Sequence, residues 1–254
     1  MGYIDRNGVQ IYYEEHGSGP AVLLSHGYSA TSRMWRGQVD ALSSRYQVLT
    51  WDMRGHGESD SPDDPTLYSE AATVDDMTAI LDRCGVPQAV VGGLSLGGYM
   101  SLAFYLKYPG RVRALMLFDT GPGYRNPEAR AGWNRMAEQR AKLLEEKGLD
   151  ALRNGGDEVR VSLHHSASGL AHAARGMLAQ FDSSVIEALP SIDVPTLVLV
   201  GERDEPFLVA TDVMAAKIPH AVKIVIPDAG HASNINQPAA FNRAVEEFLG
   251  TLPP

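Results

Sequence analysis

The stretch Val90-Val91-Gly92-Gly93-Leu94-Ser95-Leu96-Gly97-Gly98-Tyr99-Met100 limits what this chain can fold into more than any other. A short apolar run ends in glycines. A serine follows, flanked by Gly93 and Gly97, and a helix-compatible run then extends from Tyr99 to Tyr108. The pattern predicts a strand, a sharp turn and a helix, with Gly-x-Ser-x-Gly at the turn. A serine at the tip of such a turn has a strained backbone and an exposed hydroxyl. Small residues two before and two after it let the new helix pack close to the strand it has just left. The amide of Leu96 then lies at a helix N-terminus, where unpaired N–H groups favour developing negative charge. A glycine-rich turn with an incidental serine reads the same over five residues, so the rest of the chain must decide.

Composition leaves room for this unit. The 254 residues, 44% of them hydrophobic, suffice for one sizeable core with an insertion and do not require two separate cores. The formal net charge is -9, with the acidic residues spread rather than blocked. That argues against a nucleic-acid partner and leaves no polybasic membrane patch. The single cysteine, Cys84, can make no internal disulfide and reads as a buried structural thiol. The start, Met1 to Arg6, has no apolar segment behind basic residues, and no apolar run approaches the ~18 residues of a membrane span. Arg at position 6 argues against myristoylation of Gly2. The expectation is a reduced, cytoplasmic protein.

Taken in order, the chain alternates strands and helices. Tyr3 to Arg6 and Gln10 to Glu15 predict a hairpin across Asn7-Gly8. Ala21 to Ser25 is a continuous apolar strand of the kind buried on both faces of a sheet. Ser32 to Ser43 has helical spacing, Tyr46 to Trp51 is a second buried strand, and Ser69 to Cys84 is an amphipathic helix ending at Gly85. Gln88 to Gly92 and Val112 to Phe118 are strands on either side of the serine turn and its helix. This rhythm predicts a mostly parallel, eight-stranded sheet with helices on both faces. At residue 121 it breaks. Asn126-Pro127 marks a helix start, and helical patterns run to about Lys147, through Leu149 to Arg153, and from about Ser168 to Leu189. Roughly 70 residues without a strand are more than one crossover needs, so 121–190 reads as a helical cap on a core formed by 1–120 and 191–254. Strands return at Val194 to Gly201 and Ala221 to Ile226, with helices near Leu208 to Lys217 and Ala239 to Leu249.

In an open parallel sheet, functional groups gather beyond the carboxyl ends of the strands. Here His26-Gly27-Tyr28 follows the third strand, Ser95 the fifth, Asp204 the seventh and His231 the eighth. A serine hydroxyl is a poor nucleophile near neutral pH. It needs a base, usually histidine, and an acid that holds the imidazole in the right tautomer. The order Ser95, Asp204, His231 is the one expected of this strand–turn–helix arrangement. Asp119, after the sixth strand, is another acid at that end of the sheet. No histidine has metal-ligand spacing with a Cys, Asp or Glu partner, and no phosphate-loop pattern is present, so neither metal nor cofactor is implied.

With these residues the chain resembles an α/β-hydrolase with a helical cap inserted after the sixth strand. The resemblance rests on His26-Gly27, Asp52-x-Arg54-Gly55-His56-Gly57-x-Ser59, Gly93-Leu94-Ser95-Leu96-Gly97-Gly98, Gly201-x-x-Asp204 and Gly230-His231, in order, over nearly the whole chain. It implies that Ser95 is the nucleophile, His231 the general base and then acid, and Asp204 the orienting carboxylate. It implies that the amides of Leu96 and Tyr28 form the oxyanion hole. His26 and His56 are expected to be architectural, and His164-His165 to be exposed polar residues.

A serine at position 95 argues against dehalogenase or epoxide hydrolase chemistry, whose relatives carry aspartate there. The expected reaction is acyl transfer to water, with a small or medium ester or lactone as the partner. Enol-lactone hydrolysis is a close variant. Hydrolysis of carbon–carbon bonds in aromatic degradation is a further one, disfavoured by Leu94. A small-ligand receptor of the same fold is the reading from another class. Trp133, Met136, Leu163, Met177 and Phe181 are candidates for the pocket wall, and Arg125, Arg130, Arg135, Arg140, Arg153, Arg160 and Arg175 for binding an acidic substrate.

Overall fold

A computed structural model of the chain describes residues 1–253. Strand β1 (Gly2–Asp5) turns into β2 (Gln10–His16) through Asn7 at φ 58° and Gly8 at φ 87°. This is the left-handed pair that a two-residue hairpin turn needs. Next come β3 (Ala21–Ser25), α1 (Arg36–Leu42) behind a 3-10 turn at Ser32–Trp35, β4 (Gln47–Trp51) and α2 (Glu70–Arg83). The unit β5 (Ala89–Leu94), α3 (Leu96–Lys107) and β6 (Val112–Phe118) holds the serine turn. The segment 121–190 contains no strand. It holds α4 (Pro127–Lys147), α5 (Asp157–Arg160), α6 (Ala167–Ala173) and α7 (Ser184–Ala188). The chain closes with β7 (Thr196–Gly201), α8 (Glu205–Lys217), β8 (Ala221–Ile226), α9 (Ser233–Asn236) and α10 (Pro238–Thr251).

The eight strands form one sheet in the order β1-β2-β4-β3-β5-β6-β7-β8. The pairs β1–β2 and β2–β4 are antiparallel and the rest are parallel. The central strands are apolar on both faces because helices cover both. In β3, Leu23 joins one core with Met77, Ile80, Met100 and Phe104, from α2 and α3. Its neighbours Val22 and Leu24 join the other, with Trp35, Leu42, Phe241 and Val245, toward α1 and α10. The same split divides Val198 from Leu197 and Leu199 in β7. Period-two alternation therefore sorts side chains between two layers rather than between core and solvent.

The order also locates the crevice. From β3 the chain crosses to β4 on one side, and β5 pairs with β3 on the other. That reversal opens a crevice at the carboxyl end of β3, beside the turn after β5. Between Ser168 and Leu189 the expected long helix is broken. After α6 a single π turn spans Ala174–Leu178 and the chain leaves it at Ala179, whose ψ is 147°. Side chains of α4 take over the backbone partners there. The Asn134 amide donates to Gln180 O at 2.7 Å and accepts from Gln180 N at 2.8 Å, and Trp133 Nε1 donates to Leu178 O at 2.8 Å. At the other edges, α3 and α8 begin three residues earlier than their apolar spacing suggests, directly after Ser95 and Asp204.

Candidate active site

Ser95 joins β5 to α3 at φ 55° and ψ -116°, a conformation costly for any residue with a side chain, of order 1–3 kcal/mol. Its backbone is fixed on both sides. Ser95 N donates to Phe118 O at 3.0 Å, and Thr120 Oγ1 and Tyr99 N donate to Ser95 O at 2.6 and 3.1 Å. The turn is tight enough to need glycine around it. A Cβ on Gly97 would lie 2.1 Å from Ser25 O, and one on Gly93 2.5 Å from both Ser25 O and Gly97 C. Ser95 occupies the N-cap position of α3, yet its hydroxyl caps nothing. Serine is a favoured cap, so leaving its oxygen free forgoes about 1 kcal/mol. Leu96 is the first residue of α3, and its amide has no partner within the helix.

Asp204 repeats this pattern at the head of α8. It too is an N-cap residue whose side chain makes no capping bond. Its Oδ2 instead meets His231 Nδ1 at 2.8 Å. His231 is carried by the loop after β8, where Asn236 Oδ1 accepts from Gly230 N at 2.9 Å. The Phe207 ring stacks on the imidazole, 5.0 Å between centroids and 23° between planes. Burial lowers the His231 pKa, but the Asp204 hydrogen bond and charge, with the charges of Asp119 and Glu158, outweigh it and raise the group above its ordinary 6.5. Nδ1 therefore donates to Asp204, and Nε2 is the nitrogen left to exchange a proton.

Asp119 does not compete for the imidazole. Its oxygens accept from Gly201 N at 2.7 Å and from the Ser233 hydroxyl. Burial raises its carboxyl well above the usual carboxylate range, against those two hydrogen bonds. Tyr28 lies in the loop after β3, where Ala30 N bonds Gly27 O at 3.1 Å and Ser29 takes φ 55°. Its hydroxyl donates to Leu170 O at 2.9 Å, tying this loop to α6.

Three buried imidazoles hold the same loop. His26 Nε2 accepts from Met53 N and Nδ1 donates to Gly27 O; His56 Nε2 accepts from Ser29 N and Nδ1 donates to Arg54 O. His164 Nδ1 accepts from Gly57 N at 3.2 Å, and Nε2 donates to Ser29 O at 2.9 Å. Each ring thus takes one N–H and gives one, which fixes it as neutral. Burial depresses all three, His26 to about 4. His26 and His56 are architectural, as expected. His164, expected to be exposed, is buried because it bridges the segment 121–190 to the core; His165 beside it is exposed.

Two cavities meet at Ser95. The larger, of about 590 Å³, is lined by Tyr28, Ser95, Asp204 and His231 from the core, and by Trp133, Met136, Arg140 and Glu158 from the segment 121–190. The smaller, of about 230 Å³, is walled mostly by apolar groups, among them Leu96, Tyr99, Pro122, Ile186 and Val213. Trp133, Leu178, Pro206 and Phe207 line both. Of the expected wall residues, Trp133 and Met136 belong there. Met177 is packed in the core, while Leu163 and Phe181 face solvent. Of the seven arginines, Arg140 reaches the larger cavity, with its guanidinium 5.8 Å from the centre of the Tyr28 ring. Arg175 is engaged by Glu138 and Glu145. Leu178 and Glu158 carried no signal in the sequence, because helical positions in a strand-poor segment do not reveal which face closes on the sheet. Phe207 carried none because it sits in the first turn of α8, where the apolar spacing starts only later.

Among the described residues, no helix is long and apolar enough to cross a membrane. Comparison with known proteins agrees with the fold. A family model described as "alpha/beta hydrolase fold" matches residues 20–154. The chain is 29% identical to 3-oxoadipate enol-lactonase 2 of Acinetobacter baylyi, over 91% of this chain and 88% of that one. A thermophilic esterase from Thermogutta terrifontis, solved with malate bound, superimposes with a TM-score of 0.80 at 32% identity, covering 98% of this chain and 96% of the other. A hydrolase from Pseudomonas aeruginosa superimposes with a TM-score of 0.82 at 29% identity, covering 98% of each chain. The chain belongs to the α/β hydrolase fold family, as one of its hydrolases.

Proposed function

We propose that the chain cleaves a carboxylic ester by way of a Ser95 acyl-enzyme, with His231 as general base and acid and Asp204 as its orienting carboxylate. The observation that carries this is the pair of diverted caps. Ser95 leaves its hydroxyl free at a strained turn, and Asp204 gives its carboxylate to His231 instead of to α8. Ser95 Oγ attacks the carbonyl carbon as its proton passes to His231 Nε2. The carbonyl oxygen takes the negative charge and is held by the amides of Leu96 and Tyr28. His231 then gives the proton to the departing alkoxide oxygen, and the carbon–oxygen bond breaks. Water repeats the sequence on acyl-Ser95 and releases the acid. In this reading 121–190 is a cap, since its side chains close the larger cavity over Ser95.

A second reading, lactone hydrolysis, uses the same steps with the leaving oxygen still tethered to the acyl group. The similarity to an enol-lactonase favours it. Turnover of p-nitrophenyl butyrate and of an uncharged enol-lactone by wild type and Ser95→Ala tests both. Wild type should hydrolyse at least one. Ser95→Ala should fall at least about 10³-fold with its thermal transition unchanged. Undiminished turnover in that variant would remove Ser95 from the mechanism.

A further inference from the structure

Glu158 is a buried acid without a partner among the described residues. It is only 8% exposed, and within those residues its carboxyl oxygens accept no hydrogen bond and join no ion pair within 4.0 Å. It lines the larger cavity together with His231, and its charge is among those acting on the imidazole. With no protein partner, and lining the cavity, the carboxyl is available to take a donor from a bound molecule.

Its position is held from outside. Beside it in α5, Asp157 Oδ2 accepts from Asn236 Nδ2 at 2.7 Å, and Asn236 Oδ1 in turn accepts from Gly230 N, next to His231. The same loop that carries the imidazole therefore fixes the turn that carries Glu158. A Cβ on Gly156 would lie 2.4 Å from Glu158 Oε2, so a larger residue there would displace the carboxyl.

The two cavities also differ in which end of a substrate they can take. His231 lines only the larger one, and the leaving oxygen must reach His231. The leaving group therefore lies in the larger cavity, beside Glu158, and the acyl group in the smaller apolar one. Arg140, the cation of the larger cavity, is solvent-exposed over the Tyr28 ring, where water screens it. Glu158, by contrast, is almost fully buried and less screened.

We infer that Glu158 is a specificity residue, which binds an ammonium or other N–H donor on the alcohol portion of the substrate while an apolar acyl group fills the smaller cavity. This rests on the ester-hydrolase reading above. It also sets the chain against substrates with a carboxylate on the leaving side.

The test pairs two esters of one shape, 4-(aminomethyl)benzyl butyrate and 4-ethylbenzyl butyrate, with wild type and Glu158→Gln. Wild type should favour the amine in kcat/KM by about tenfold or more, the scale of a charge-assisted hydrogen bond. Glu158→Gln should bring the kcat/KM ratio of the two esters close to one, through KM for the amine. That ratio is the readout, because the Glu158 charge also acts on His231 and so on both esters alike. Equal use of both esters by wild type, or equal loss on both in the variant, would overturn the inference. Calorimetric titration with 4-(aminomethyl)benzyl alcohol gives a second readout that needs no turnover. Binding should occur in wild type and weaken about tenfold in Glu158→Gln. If neither ester is cleaved, the hydrolase reading fails by itself. Absence of amine binding, or equal binding in both proteins, removes Glu158.

Discussion

Ser95, Asp204 and His231 show how one residue type can be put to two uses. Serine and aspartate at helix starts normally cap, and Ser69 and Asn126 do so here, accepting from Ala72 N and from Glu128 N. Ser95 and Asp204 occupy the same positions and do not. Asp204→Asn should keep the fold and remove the charge that sets the imidazole. We expect kcat to drop by up to about 10⁴, with an unchanged thermal transition. The pH profile gives the sign. In the proposed mechanism His231 must be neutral to act as base, and the Asp204 bond and charge overcome burial to raise its pKa above 6.5. The rate of wild type should therefore rise with pH through a midpoint above 6.5, and the residual rate of Asp204→Asn through a lower one. An unmoved midpoint would show that another group orients the imidazole. These three residues were legible in the sequence because chain order and flanking glycines mark them. Glu158 was not, because its burial comes from α5 lying beside the His231 loop, which no local pattern encodes.

At the scale of elements, the sheet was the easy part. Continuous apolar runs such as Ala21–Ser25 and Val112–Phe118 declare strands covered on both faces, and they fall where expected. The segment 121–190 was harder. Its breaks after α6 depend on Asn134 and Trp133, some 45 residues away, which satisfy the backbone of Leu178 and Gln180 from the side. Helical periodicity cannot report a competing partner that distant in the chain. His164 is a similar case, a bridge from the segment 121–190 to the core that looks like a surface histidine. Its neutral form is the one the fold uses, so its pKa is lowered, mainly by burial. The unfolded chain then takes up a proton below about 6.5 that the folded chain refuses, and this contribution to stability shrinks as pH falls. His164→Gln removes that proton. We expect urea denaturation to show the variant less stable at pH 7, by about 1–3 kcal/mol for the lost bridging bonds. The gap to wild type should narrow toward pH 5. Parallel stability curves would place His164 outside the proton-linked set.

At the scale of the molecule, topology brings four distant loops to one crevice. Strand order reverses at β3, so the loops after β3 and β5 meet there, and β7 and β8 bring Asp204 and His231 to the same end of the sheet. Two cavities of unlike lining join at the serine, and in the proposed reaction they serve as the acyl side and the leaving-group side. In the proposed mechanism the covalent intermediate is the step that this arrangement serves. Mass spectrometry of protein treated with p-nitrophenyl diethyl phosphate should find a single diethylphosphoryl adduct on the peptide containing Ser95. It should form far more slowly in His231→Ala and not at all in Ser95→Ala. An adduct on another residue, or none under conditions where wild type still turns over ester, would contradict the mechanism.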